Sequence, residues 1–267
     1  MNFQTDFDFF ISALKQNKKS NFEIFLSDHK DSIYDMAAVS MHNSKLQLDL
    51  TSASVFSAVE ENLKKFNILL YLCNRFVFLR KILLFRIISN YNKIKENVVK
   101  LDSITKKHYH LIKNNYLLLG KMEHDIKQKS QVLSACVQSI EKKIGENKSN
   151  STEWLNNGAI DLKEYLDVLE IIISSIGVIL NSSGKVMNEM LSTTAAISVW
   201  QSKVELCLTP NNSFDSKSIY SENEKLYLKI NTLQQTMNSD IIKRKNSFDR
   251  LRMLINILLY RWKNMNF

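Results

Sequence analysis

IKENVVKLDSITKKHYHLIKNNYLLLGKMEHDIKQKSQVLSACVQSI, residues 94–140, decides the fold. Reading inward-facing positions along it gives Ile94, Val98, Leu101, Ile104, His108, Leu111, Asn115, Leu118, Met122, Ile126, Lys129, Leu133, Cys136 and Ile140, largely an alternation of three and four residues. A repeat of 3.5 residues is the seam of a coiled coil, and the lysines beside it keep the outer face wet. The stretch therefore predicts a long helix that lays one edge against a partner helix.

The surroundings leave little room for anything else. The first glycine is Gly120, the only proline is Pro210, and the whole chain of 267 residues has five glycines. Glycine and proline are the residues that break helices and shape tight turns, so a chain nearly without them has few means of building hairpins of strands. The class read from this pattern is all-α: an elongated antiparallel helical bundle with long coiled-coil helices.

Outward from the seam, the main rod extends over about Val59 to Gly145, which at 1.5 Å per residue is roughly 130 Å if unbroken. Gly145 to Gly158 reads as a linker whose turn is Asn156-Asn157-Gly158. A second long helix is expected from Ile160 to Leu208, antiparallel because the connection is short. Pro210 and Asn211-Asn212-Ser213 end it. Ser221-Glu222-Asn223-Glu224 has the form of a capping box and predicts a last helix from Glu222 toward Asn264, with Leu226, Ile230, Leu233, Met237, Ile241, Phe248, Leu251, Ile255, Leu258 and Trp262 inside. Before the rod, Phe3 to Leu14, Asn21 to Leu26 and Ser32 to Leu50 read as shorter helices. Residues 1–58 thus form an N-terminal group packed on the body, and 59–267 the long-helix bundle, a single continuous domain.

Two segments depart from ordinary amphipathic texture. Phe66 to Ile88 is apolar on most faces, with a narrow polar strip through Asn67, Asn74, Arg75 and Lys81. Such a helix is packed on several sides or lies against lipid. Leu70, Phe76, Phe78, Leu79, Leu83 and Phe85 carry its apolar character, and Arg75, Arg80 and Lys81 argue against a bilayer span. The second segment, Ile171 to Gly184, has no charge between Glu170 and Lys185. It is shorter than the ~20 residues of a spanning helix, and it mixes β-branched residues with Gly177, Gly184 and serines, which lowers helix propensity and permits close helix contact.

Composition excludes more than it selects. The net charge of +9 and pI of about 9.3 favour polyanionic partners, but the basic residues are dispersed along the helices. Aromatic residues fall in apolar stripes instead of alternating with Lys and Arg, so no nucleic acid is expected as a partner. Cys73, Cys136 and Cys207 are too far apart for a zinc motif or a closed disulfide framework. No phosphate loop, dinucleotide fingerprint, zinc-hydrolase or serine-hydrolase motif occurs; His108 and His110 point to different helix faces, and His124 lies about four turns from His110, too far to share a metal within one helix. The chain reads as no enzyme, with no catalytic, cofactor-binding or metal site and no cofactor. The opening residues Met1 to Asp8 carry acids where a secretory signal needs bases. This reading leaves a cytoplasmic protein, or one secreted without a recognisable signal peptide.

A long coiled-coil pair, the apolar Ile171 to Gly184 segment beside one end of it, and the return at Ala195-Ala196-Ile197-Ser198-Val199-Trp200 together resemble the α-helical pore-forming toxins. Among these the chain looks most like the B subunits of xenorhabdolysin-type binary toxins, and more distantly the cytolysin A class. The resemblance implies a monomer in solution that meets a second helical toxin subunit and a lipid membrane, then forms a homo- or hetero-oligomer on the target-cell membrane. It also implies that Ile171, Ile172, Ile173, Ile176, Val178, Ile179 and Leu180 are the membrane-contact residues. The competing expectation is a non-enzymatic coiled-coil scaffold or adaptor, or a membrane-curving helical dimer.

Overall fold

A computed structural model describes residues 54–76, 78, 80–146, 153–208 and 214–264, which are 98% helical with no strand among them. Four helices account for these residues: α1 (Ser54–Arg75), α2 (Arg80–Glu146), α3 (Glu153–Leu208) and α4 (Ser216–Asn264). The class is all-α, an antiparallel bundle of long helices. The short helices expected within residues 1–50 lie outside the described residues.

A single rule places the core. Buried positions step by three and four residues along each helix: Phe56, Val59, Leu63, Phe66, Leu70 and Cys73 on α1; Ile87, Tyr91, Ile94, Val98, Leu101 and Thr105 on α2; Tyr165, Leu169, Ile172, Ile176, Ile179, Ser183, Val186 and Met190 on α3; Ile219, Asn223, Leu226, Ile230, Leu233, Met237, Asp240 and Arg244 on α4. This is the heptad rhythm of left-handed helix packing. The seam drawn from sequence on α2 is out of phase in its middle. It runs through Thr105, Ile112 and Leu119, all fully buried, instead of Ile104, Leu111 and Leu118, and Leu118 is 43% exposed. Thr105 breaks the apolar pattern without leaving the seam. The same slip occurs on α4, where buried Asp240 displaces half-buried Ile241.

Residues 59–145 are not one rod. α1 ends at Arg75, where the Phe76 N–H donates to the Leu72 carbonyl at 2.9 Å, and α2 begins at Arg80. Lys65, Ile68 and Leu69 of α1 share a groove with Phe85, Arg86 and Ser89 of α2, so the chain has folded back on itself. The fold-back lets Leu70 and Cys73 of one arm and Leu83 and Ile87 of the other reach a common core. A straight helix would have left most of that surface uncovered.

Two other boundaries differ from expectation. Asn156, Asn157 and Gly158 lie inside α3, which begins at Glu153; residues 147–152 of the expected linker lie outside the described residues. α4 starts six residues before Glu222. Its cap is Asp215, whose Oδ1 accepts from the backbone N–H groups of Lys217 and Ser218 at 3.0 and 3.1 Å. Ser221 and Glu224 are thus interior to the helix, and no capping box forms there.

The chain divides into two compact units. Of the described residues, the hairpin unit comprises those within 54–114 and 182–242. In it α1 and α4 run antiparallel, since Asn67 meets Asn223 and Glu224 while Asn74 meets Ser216. Of the described residues, the second unit comprises 115–146, 153–181 and 243–264. In it α2 and α3 run antiparallel: Gly177 lies beside Glu123, and Lys163 Nζ is 3.8 Å from Glu141.

Candidate functional site

α3 carries the charge-free segment, and the heptad seam divides its residues. Ile172, Ile176 and Ile179 are fully buried; Ile171, Ile173 and Leu180 are half-buried; Val178 is 47% exposed. The low helix propensity of the run is accommodated locally, with the Ser175 hydroxyl donating to the Ile171 carbonyl at 2.8 Å. Its glycines do not mark a close helix approach. A Cβ built on Gly184 meets nothing within 4 Å, and one on Gly177 meets only the Glu123 carboxylate at 4.0 Å. Gly184→Ala should therefore raise stability by about 0.5–1 kcal/mol through helix propensity alone, which a denaturant titration checks. Between Lys163 and Leu208 the helix is, by length and composition, long and apolar enough to cross a membrane. Val178, Leu191, Val199 and Leu206 form its exposed apolar positions.

The second segment is split between core and surface by the fold-back. Leu70 and Leu83 are buried, whereas Phe76 is more than one-third exposed, Phe78 is 81% exposed and Phe85 is 77% exposed. Leu79 lies outside the described residues. Phe66 to Ile88 is thus neither a central core helix nor a wholly lipid-facing one. The rings of Phe76 and Phe78 meet edge to face at 6.1 Å. Tyr71 and Ile82, which the sequence did not single out, are exposed as well. Their heptad phase, one residue off the buried positions Leu70 and Leu83, is the signal that would have found them.

Below the tip, Ile68, Leu69 and Phe85 make the apolar part of an open groove of about 410 Å³, bordered by Lys65, Arg86 and Lys93. No acidic residue occurs between Glu61 and Glu96, while Lys64, Lys65, Arg75, Arg80, Lys81, Arg86, Lys93 and Lys95 all do. The arms of the hairpin are pinned from behind. The Trp200 indole N–H of α3 donates to Asn223 of α4 at 2.7 Å, Asn223 donates to Asn67 of α1 at 2.8 Å, and Asn67 donates to Glu224 at 2.8 Å. Ser216 donates to Asn74 near the tip. The polar strip of α1 is therefore the face that α4 reads.

A neighbouring carboxylate on α4 is held separately. Glu222 is 7% exposed and accepts from Lys225 and Lys203 at 2.8 and 3.0 Å. The Lys225 hydrogen bond, against a smaller opposing effect of burial and with help from Lys203, holds its carboxyl below the usual glutamate range. A lowered folded pKa adds stability above the unfolded pKa, and that stability is lost as pH falls through the folded value. Glu222→Gln is expected to flatten the acid limb of a stability-versus-pH curve while lowering stability at neutral pH.

Among the described residues no three His, Cys, Asp or Glu side chains come together in a metal-binding arrangement. No protein-family model, curated protein or solved structure matches this chain.

Proposed function

We propose that the protein is a non-enzymatic, membrane-acting helical bundle that serves as one component of a binary α-helical pore-forming cytotoxin. It is a monomer in solution, acts outside the cell that makes it, pairs with a second helical subunit, and oligomerises on the target-cell membrane. The observation that carries this reading is α3, which combines the length and hydropathy of a spanning helix with a heptad seam buried in a soluble bundle. Such a helix can exchange one set of apolar neighbours for another, provided its backbone hydrogen bonds stay internal, as they do in any helix.

Dye release from vesicles tests it. Val178→Lys changes an exposed position, so folding should be unaffected, whereas a lysine at hydrocarbon depth costs roughly 2.5–3.5 kcal/mol and should suppress release. Wild-type release matched by Val178→Lys would remove this segment from the pore. Burial of Ile172, Ile176 and Ile179 on an uninterrupted seam also favours a second reading, a permanent coiled-coil scaffold. That protein would release no dye, alone or with the product of a neighbouring gene.

A further inference from the structure

The tip of the α1–α2 hairpin is unlike the rest of the surface, and we infer that it is a docking surface for an anionic lipid bilayer. Phe76, Phe78, Ile82 and Phe85 are exposed within ten residues of chain at a reversal of direction. Single exposed apolar residues are ordinary, but a contiguous cluster with a charged border marks an interaction surface. The border decides the occupant. Eight basic residues and no acid lie between Glu61 and Glu96. Of these, Lys64, Lys65 and Lys95 pair with Glu60, Glu61 and Glu205, while Arg75, Lys81, Arg86 and Lys93 are the exposed cations around the tip and its groove. The nearest acid on α4, Asp215, has its carboxylate occupied by the helix N–H groups. Arg75 is steadied beside the aromatic tip by donating to the Tyr71 hydroxyl at 2.8 Å.

An apolar wedge ringed by cations matches the interface of an anionic membrane. Aromatic rings enter the region of the headgroups and upper acyl chains, while Lys and Arg meet lipid phosphates and serine or glycerol headgroups. The groove extends this match: it is lined by the cations of Arg86 and Lys93 and by apolar Ile68 and Phe85, with Lys65 at its edge paired to Glu61. A helical protein partner would call for a long heptad stripe, and the heptad positions here are already buried. Nucleic acid would use the aromatic faces but gain nothing from the aliphatic side chain of Ile82. This surface requires only membrane association, so it goes beyond the pore proposal and can hold without it.

The test is co-sedimentation of the full chain with vesicles of phosphatidylcholine alone or mixed with phosphatidylglycerol. Binding should be at least about tenfold tighter to the anionic vesicles and should fall with salt. Lys81→Glu with Arg86→Glu should weaken it by at least about tenfold, and Phe78→Ser with Phe85→Ser by about tenfold, both with unchanged melting temperature because these side chains are exposed. Equal binding to neutral vesicles, or variants that bind as wild type does, would overturn the inference. So would a wild type that ignores vesicles but forms a dimer, or binds duplex DNA, in a way that the same variants abolish. Wild type that binds the anionic vesicles without releasing dye keeps this surface and removes the pore; wild type that releases dye equally from both vesicle types keeps the pore and removes this surface.

Discussion

Trp200→Ala should destabilise the protein by about 3–5 kcal/mol, the range for removing a fully buried large aromatic side chain. Trp200 is 1% exposed, its ring lies 5.7 Å from that of Tyr91, and its indole N–H is bonded to Asn223. The substitution therefore opens a cavity and also leaves Asn223 without its donor. Trp200→Phe separates the two effects. It keeps most of the ring contact and loses the hydrogen bond, so its cost should fall to about 1–3 kcal/mol. Urea denaturation followed by far-UV dichroism measures both. A loss below about 1 kcal/mol for Trp200→Ala would mean that the three-helix junction around Asn67 and Asn223 does not hold the hairpin unit together.

Ile176→Asp should be more damaging still. The side chain is fully buried on the α3 seam, between Ile172 and Ile179. An ionised carboxylate placed there has no partner, and burial of an unpaired charge costs several kcal/mol even after the group shifts its pKa or the helix rearranges. Soluble yield and melting temperature should both drop sharply. Val178→Lys, two residues away and half exposed, should leave both nearly unchanged. The contrast between the neighbours is the point, because it separates the seam from the surface. Equal damage at the two positions would contradict the seam assignment.

The helical class and most seam residues were legible because a 3.5-residue rhythm survives in a single sequence. Leu226, Ile230, Leu233 and Met237 on α4 are buried as their spacing requires. Legibility failed where polar residues occupy the seam. Thr105 and Asp240 are buried, yet each has an isoleucine next to it, and the eye follows the isoleucine onto the wrong face. It failed again at the hairpin. The residues between Arg75 and Arg80 are Phe, Val, Phe and Leu, with no glycine, proline or capping residue to announce a reversal. Tertiary burial of Leu70, Cys73, Leu83 and Ile87 drives the fold-back, and local propensity does not record it. The opposite error occurred at Asn156-Asn157-Gly158, strong turn chemistry that α3 absorbs.

For the candidate site, the sequence identified both apolar segments but not which of their residues face outward. Hydropathy measures content along the chain, whereas exposure depends on the phase of each residue relative to its neighbours' seams. Phe78 and Leu70 are alike by composition and opposite by placement.

Planar-bilayer recording tests membrane action most directly. With anionic lipid, and with the product of a neighbouring gene added when the protein alone is silent, a pore component should give discrete, repeated conductance steps of uniform size, diminished by Val178→Lys. A bilayer that remains electrically silent under both conditions, while folded protein is demonstrably bound to it, would contradict the pore-forming account.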